Sequence, residues 1–206
     1  MIRNVIRITT MLLFICIVSI KAQDRDKRGY VGISLGPSFL AGYDGSIDPG
    51  TGLTIGLLNF SYRIVDRFGI SLVWSGGAHI WKADMPYFDG NGNPITVPMD
   101  YTLSYGTLMI GPMYSIKLSD DSSLEIKPRF GTFGMGVEMS SDVVNGTEEK
   151  SSLSYAFAMT YRKAFATHWC VTFSGDYCAG LNQSANLDDD WKVKPLTLQM
   201  GVGFQF

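Results

Sequence analysis

The 206-residue sequence predicts an all-β fold, an eight-stranded antiparallel up-and-down transmembrane β-barrel, on three observations. Apolar residues alternate with small or polar ones along most of the chain. The connections between those stretches alternate in length. The face opposite the apolar one carries few charges.

The alternation is clearest at the C-terminus, where Leu196, Leu198, Met200, Val202, Phe204 and Phe206 interleave with Thr197, Gln199, Gly201, Gly203 and Gln205. Strict period two means a strand with one apolar face. Three more stretches read the same way: Leu153, Tyr155, Phe157, Met159 and Tyr161; Trp169, Val171, Phe173 and Tyr177; and Leu124, Ile126, Pro128 and Phe130. Four weaker strands are expected over 29–40, 51–64, 69–82 and 101–118. In the third, Ile70, Leu72, Trp74 and Ile80 share a face, and in the fourth Leu108, Ile110, Tyr114 and Ile116 do. The second strand changes parity, with Leu53, Ile55 and Leu57 on one face and Leu58, Phe60 and Tyr62 on the other. A bulge and a partly apolar interior both account for that.

Between the strands, the connections run to about ten residues, about 18 (Ala83 to Asp100), about 11 and about 11, separated by short joins near Val65–Phe68, Ser119–Ser122 and Ala166–Thr167. In an even-stranded outer-membrane barrel, short turns face the periplasm and longer loops face outward. Both chain ends then lie on the periplasmic side.

A secretory signal is expected over residues 1–22. Arg3 and Arg7 precede an apolar run, Met11 to Ile20, and Lys21-Ala22-Gln23 follows it. The run is about ten residues, half of the roughly 20 that a spanning helix needs. Residues 23–28 read as a short linker and 29–206 as the barrel. A lipoprotein reading through Cys16 meets bulky Ile15 where a small residue is needed. Without Arg3, Arg7 and Lys21, the 17 Lys+Arg and 19 Asp+Glu become 14 and 19, a net charge of −5. Such a balance offers no nucleic-acid surface. Charged residues make up 17% of the chain, below the ~25% usual for soluble domains, so something other than water covers part of the surface.

Cys170 and Cys178 sit on one expected strand, where eight residues at ~3.3 Å place them roughly 26 Å apart. A disulfide needs Cα atoms within about 7 Å, so the two do not pair within one chain. The face opposite the large apolar residues is dominated by Ser, Ala, Thr, Gly and Gln, which suit the crowded bore of a small barrel. Leu, Phe, Met and Val, with Tyr and Trp near strand ends, then form a lipid-facing band with aromatic girdles.

These features resemble the small outer-membrane barrels of Gram-negative bacteria, the OmpA/OmpX-like group, over nearly all of residues 29–206. Its most specific element is the terminal strand Leu196 to Phe206, which looks like the signal read by the barrel assembly machinery. The resemblance implies the cell outer membrane as location. It also implies contact with outer-membrane lipid and lipopolysaccharide, and a role in structure or in extracellular interaction through the loops, chiefly Ala83 to Asp100. A lipid-modifying barrel enzyme and a narrow channel are the alternatives.

The sequence nominates no catalytic, cofactor-binding or metal-ligating residue. Asp89-Gly90-Asn91-Gly92-Asn93 with Asp100 imitates a calcium loop, but Pro94 stands where that loop needs Gly. A hairpin tip accounts for the run. Asp188-Asp189-Asp190 reads as a solvated loop, and Asn145-Gly146-Thr147 and Asn182-Gln183-Ser184 are coincidental glycosylation triplets. Scattered methionines read as packing. His79 and His168 are placed at opposite ends, which leaves no shared acid–base site. One constellation stands out: Arg63, Lys117, Glu125, Lys127, Arg129 and Arg162 are expected in the periplasmic half of the bore, with Asp176 higher. Together with Gln199 and Gln205 they plug it as an ion-pair network, and their excess of cations leaves an anion site open.

Overall fold

The computed structural model describes residues 27–41, 49–88, 94–141, 145–180 and 193–206. The signal segment 1–22 lies outside them. So do the Asp89–Asn93 tip, Asn182–Ser184 and Asp188–Asp190. Of the expected linker, Lys27 and Arg28 are described, and both are tied to Arg63, whose amide donates to the Arg28 carbonyl at 2.8 Å and whose guanidinium donates to the Lys27 carbonyl at 2.8 Å.

The alternating sequence forms eight strands: β1 (Gly29–Ala41), β2 (Gly52–Val65), β3 (Phe68–Phe88), β4 (Pro94–Lys117), β5 (Ser122–Ser140), β6 (Asn145–Ala164), β7 (Trp169–Gly180) and β8 (Lys194–Gln205). Each pairs antiparallel with its sequence neighbours, and β1 pairs with β8, so the sheet closes into a barrel. Closure leaves the ladder without an open edge, the condition for crossing hydrocarbon with strands. The outer wall is mostly apolar. Ile33 is 65% exposed, Phe130 59%, Met200 58% and Trp74 53%, an arrangement that water would penalise and a lipid core rewards.

Strand β2 resolves its own parity conflict with a bulge. Its register slips between Gly56 and Leu58 against β3, and across the same stretch against β1. Leu53, Ile55 and Leu57 therefore face outward below the bulge, and Thr54 faces in. Beyond the slip, Asn59 and Ser61 turn inward. One extra residue swaps the faces, and the interior there is polar.

The expected long connection Ala83 to Asp100 is instead mostly strand. β3 and β4 stay paired up to Phe88 opposite Pro94, and β5 and β6 up to Ser140 opposite Asn145. Pro86, Pro94 and Pro98 conceal this in the sequence. Proline removes a ladder donor and is tolerated where one side of the strand is unpaired. Pairing of β2 with β3 ends at Leu53 opposite Ala78, and pairing of β4 with β5 ends at Asp100 opposite Ser140. All three prolines lie beyond those points. Strands β3 to β6 thus project past the rest of the barrel as an extension.

Candidate functional site

The bore and the extension carry most of the chemistry-bearing residues that the sequence singles out within the described segments. In the short-turn half of the bore, Glu125 of β5 is fully buried between two cations. Lys127 Nζ lies 2.7 Å from Oε2, and Arg162 Nη2 lies 3.5 Å from Oε1. Lys127 also donates to Tyr30 Oη at 3.0 Å and Thr160 Oγ1 at 3.1 Å. Both cations stand over the Tyr30 ring, 5.2 and 5.3 Å from its centre. One step higher, Arg129 pairs with Asp176 at 2.9 Å and donates from Nε to Ser71 at 3.3 Å. Ser34 bonds Gln199, and Asn59 donates to Ser34 at 2.9 Å. Buried charges cost several kcal/mol each unless paired, which is why these side chains converge.

Lys117 departs from expectation. It lies at the rim rather than in the bore, its side chain 56% exposed and paired with Asp120 at 2.7 Å. The strand ends there, and the short turn into β5 brings the carboxylate back to it. Hydrogen bonding to Lys117 holds the Asp120 carboxyl below the usual carboxylate range.

The hairpin half of the bore is filled differently. Val73, Trp81, Tyr101, Leu103, Tyr105, Met109, Phe133 and Val137 form one buried cluster, with Trp81 stacked on Tyr101 at 5.4 Å and 7°. The sequence predicts a bore dominated by small residues; at this end large side chains fill it, and Trp81 and Tyr101 stack inside rather than in a lipid-facing girdle. The signal was present, because Trp81 shares parity with His79 and Val73, opposite Trp74 and Ile80. Between the two halves lies a cavity of ≈ 30 Å³ bordered by Thr54, Tyr105, Arg129, Asp176 and Gln199. That is room for about one or two waters.

His79, fully buried, stands on the rim of the apolar cluster. Its Nδ1 lies 3.2 Å from the Gly50 carbonyl and its Nε2 3.0 Å from Ser38 Oγ, which is 2.7 Å from Tyr105 Oη. A carbonyl only accepts, so Nδ1 carries the proton. In the neutral ring, Ser38 then donates to Nε2 and Tyr105 donates to Ser38. Gly50 presents that carbonyl from a left-handed conformation, φ 64°, which a side chain would strain. The chain ends on a backbone carbonyl where acid–base chemistry would place a carboxylate. His168, at the opposite end, stacks on Phe204 at 5.3 Å. Cys170 and Cys178 are both buried free thiols.

Among the described residues the extension presents Lys82, Asp84, Asp100, Glu138, Glu148, Glu149 and Lys150, five acids against two cations. Asp100, expected beside the calcium-like run, lies in β4 and pairs with Lys82 at 3.0 Å. Among the described residues, the outer parts of β3 (79–88) and β6 (145–153) pair on one side only.

A closed eight-stranded barrel with an apolar outer wall and a filled bore has the fold of the small outer-membrane β-barrels, the group that the sequence resembles, and that wall suits the outer membrane. The fold is similar to that of Ail, the attachment invasion locus protein of Yersinia pestis, solved in complex with the heparin analogue sucrose octasulfate. The TM-score is 0.53 at 19% identity, covering 87% of this chain and 99% of that one. Neisserial surface protein A is similar with a TM-score of 0.56 at 11% identity, covering 86% and 97%. A major outer membrane protein from Thermus thermophilus gives 0.54 at 11%, covering 86% and 99%. No family model matches the chain, and no curated protein does. At these identities the likeness is one of fold.

Proposed function

We propose that this barrel is a non-conducting, non-enzymatic surface-interaction module that offers the β3–β6 extension to a protein partner outside the cell. The observation that carries the reading is the one-sided pairing of 79–88 and 145–153, which leaves backbone donors and acceptors on two strand edges. An extended partner segment adds to such an edge through main-chain bonds. The filled bore supports the absence of conduction. Ail was solved with a sulfated ligand, but five acids against two lysines on this extension repel a polyanion, so the favoured partner is basic or neutral.

Lipopolysaccharide and lipid surround the wall below the extension. The barrel assembly machinery reads the terminal strand ending at Phe206, which closes against Gly29 through two 3.0 Å backbone bonds and stacks on Tyr62 at 6.2 Å. Deleting Phe206 is expected to lower insertion in cells more than it lowers spontaneous folding in detergent; equal insertion would remove the machinery from the reading.

The decisive experiment compares the native protein with a variant whose β3–β4 hairpin is cut back to Ile80 and Thr102. Cells displaying each are tested for capture of extracellular proteins, and each purified protein for planar-bilayer conductance. Loss of capture with negligible conductance in the native protein is expected. A stable, ion-selective current from the native protein, or undiminished capture by the shortened one, overturns it.

A further inference from the structure

The periplasmic half of the bore holds more positive than negative charge. Among the described residues, four cations, Arg63, Lys127, Arg129 and Arg162, share it with two carboxylates, Glu125 and Asp176. Lys127 and Arg129 are matched at 2.7 and 2.9 Å respectively. Arg162 takes only the longer, 3.5 Å contact to Glu125 and a 3.3 Å bond from Nε to Ser123. Its Nη1, buried in a side chain only 7% exposed, has no hydrogen-bond partner among the described residues, and neither does the buried Nε of Arg63.

These two donors belong to the same end of the bore. Arg162 of β6 reaches across to the Tyr30 ring of β1 at 5.3 Å, and Tyr30 is the register partner of Ser61, two residues from Arg63 on the same face of β2. Arg162 pairs in register with Ser123, whose other neighbour is rim residue Lys117. Arg63 is partly exposed, so the mouth opens to the periplasm on its side. Arg63 and Arg162 are the cations left over once Lys127 and Arg129 have taken the close carboxylate contacts, and their unpartnered donors are what a charged acceptor would satisfy.

We propose that the periplasmic mouth of the bore binds a phosphate-type oxyanion between the Arg162 and Arg63 guanidiniums. Each guanidinium keeps one unpartnered nitrogen, Nη1 on Arg162 and Nε on Arg63, and an oxyanion with several acceptor oxygens can take one donor from each, whereas chloride offers one point of attachment. The same phosphate chemistry is available from free phosphate and from a phospholipid headgroup at the inner leaflet.

The test uses the folded protein in dodecyl maltoside micelles, which carry no phosphate, and reads its thermal unfolding midpoint. One arm titrates inorganic phosphate against sodium chloride of equal ionic strength. The other adds phosphatidylglycerol to the micelles in phosphate-free buffer. A saturable rise in midpoint is expected in at least one arm, and which arm responds names the source. Arg63→Gln and Arg162→Gln should each weaken the response about tenfold or more, with Arg63→Lys intermediate. Arg63→Gln decides alone if Arg162→Gln fails to fold, because Arg63 is in neither ion-pair group. A response in neither arm, or one unchanged in Arg63→Gln, overturns the site.

Discussion

The two halves of the bore enclose the same eight strands and are filled by opposite chemistry. Toward the periplasm, Glu125, Lys127, Arg129, Arg162 and Asp176 fill it with charge. Toward the outside, Trp81, Tyr101, Leu103, Tyr105 and Phe133 fill it with apolar and aromatic surface. A charged layer is specific but brittle, since removing one partner strands another in low dielectric. An apolar layer degrades with the volume removed. The difference suits their neighbours: the apolar plug continues into the inner face of the extension through Ala83, Met99 and Met139, which pack against it.

The largest break should come from Glu125→Ala, which leaves Lys127 and Arg162 facing each other unpaired. A loss of about 3–5 kcal/mol is expected in reversible urea unfolding from bilayers. If the loss stayed below about 1 kcal/mol, the charged half would not be held by pairing at all. Leu103→Ala tests the other half: Leu103 is fully buried, and a cost of roughly 2–5 kcal/mol from cavity and transfer terms is expected. Its cost should not vary with salt or pH, whereas that of Glu125→Ala should shrink in acid, where the native carboxyl is itself neutralised. Parallel responses of the two variants to pH would erase the contrast.

Ser38→Ala sharpens the boundary between the layers. It strips His79 Nε2 and Tyr105 Oη of their shared partner, and about 1–3 kcal/mol should follow for the buried groups left unsatisfied. Equal stability of Ser38→Ala and native protein would mean that the His79 chain is not a structural seal. The smallest effect belongs to the extension. Lys82→Ala breaks the exposed pair with Asp100, both partners mostly solvated, and should change stability by less than about 1 kcal/mol. A larger loss would show that the extension is coupled to the barrel through its charges rather than through its apolar inner face.

The number of strands and the outward band were legible from period-two alternation, because a residue's face in a strand depends only on its parity, and the closure from the alternating connection lengths beside it. Leu196 to Phe206 and Leu153 to Tyr161 were legible to the residue for that reason, as was the convergence of Glu125, Lys127 and Arg129, three inward positions on one strand. What lay beyond reach depended on other strands. The bulge at Gly56–Leu58 is settled by register against β1 and β3, and the prolines of 86–98 are tolerable only because neighbouring strands have already ended. Lys117 has inward parity, yet whether it lies in the bore or on the rim depends on where the barrel stops. Alternation fixes which way a side chain points; only the closed ladder fixes what it meets there, because each contact across the bore joins residues brought together by the register of several strands at once.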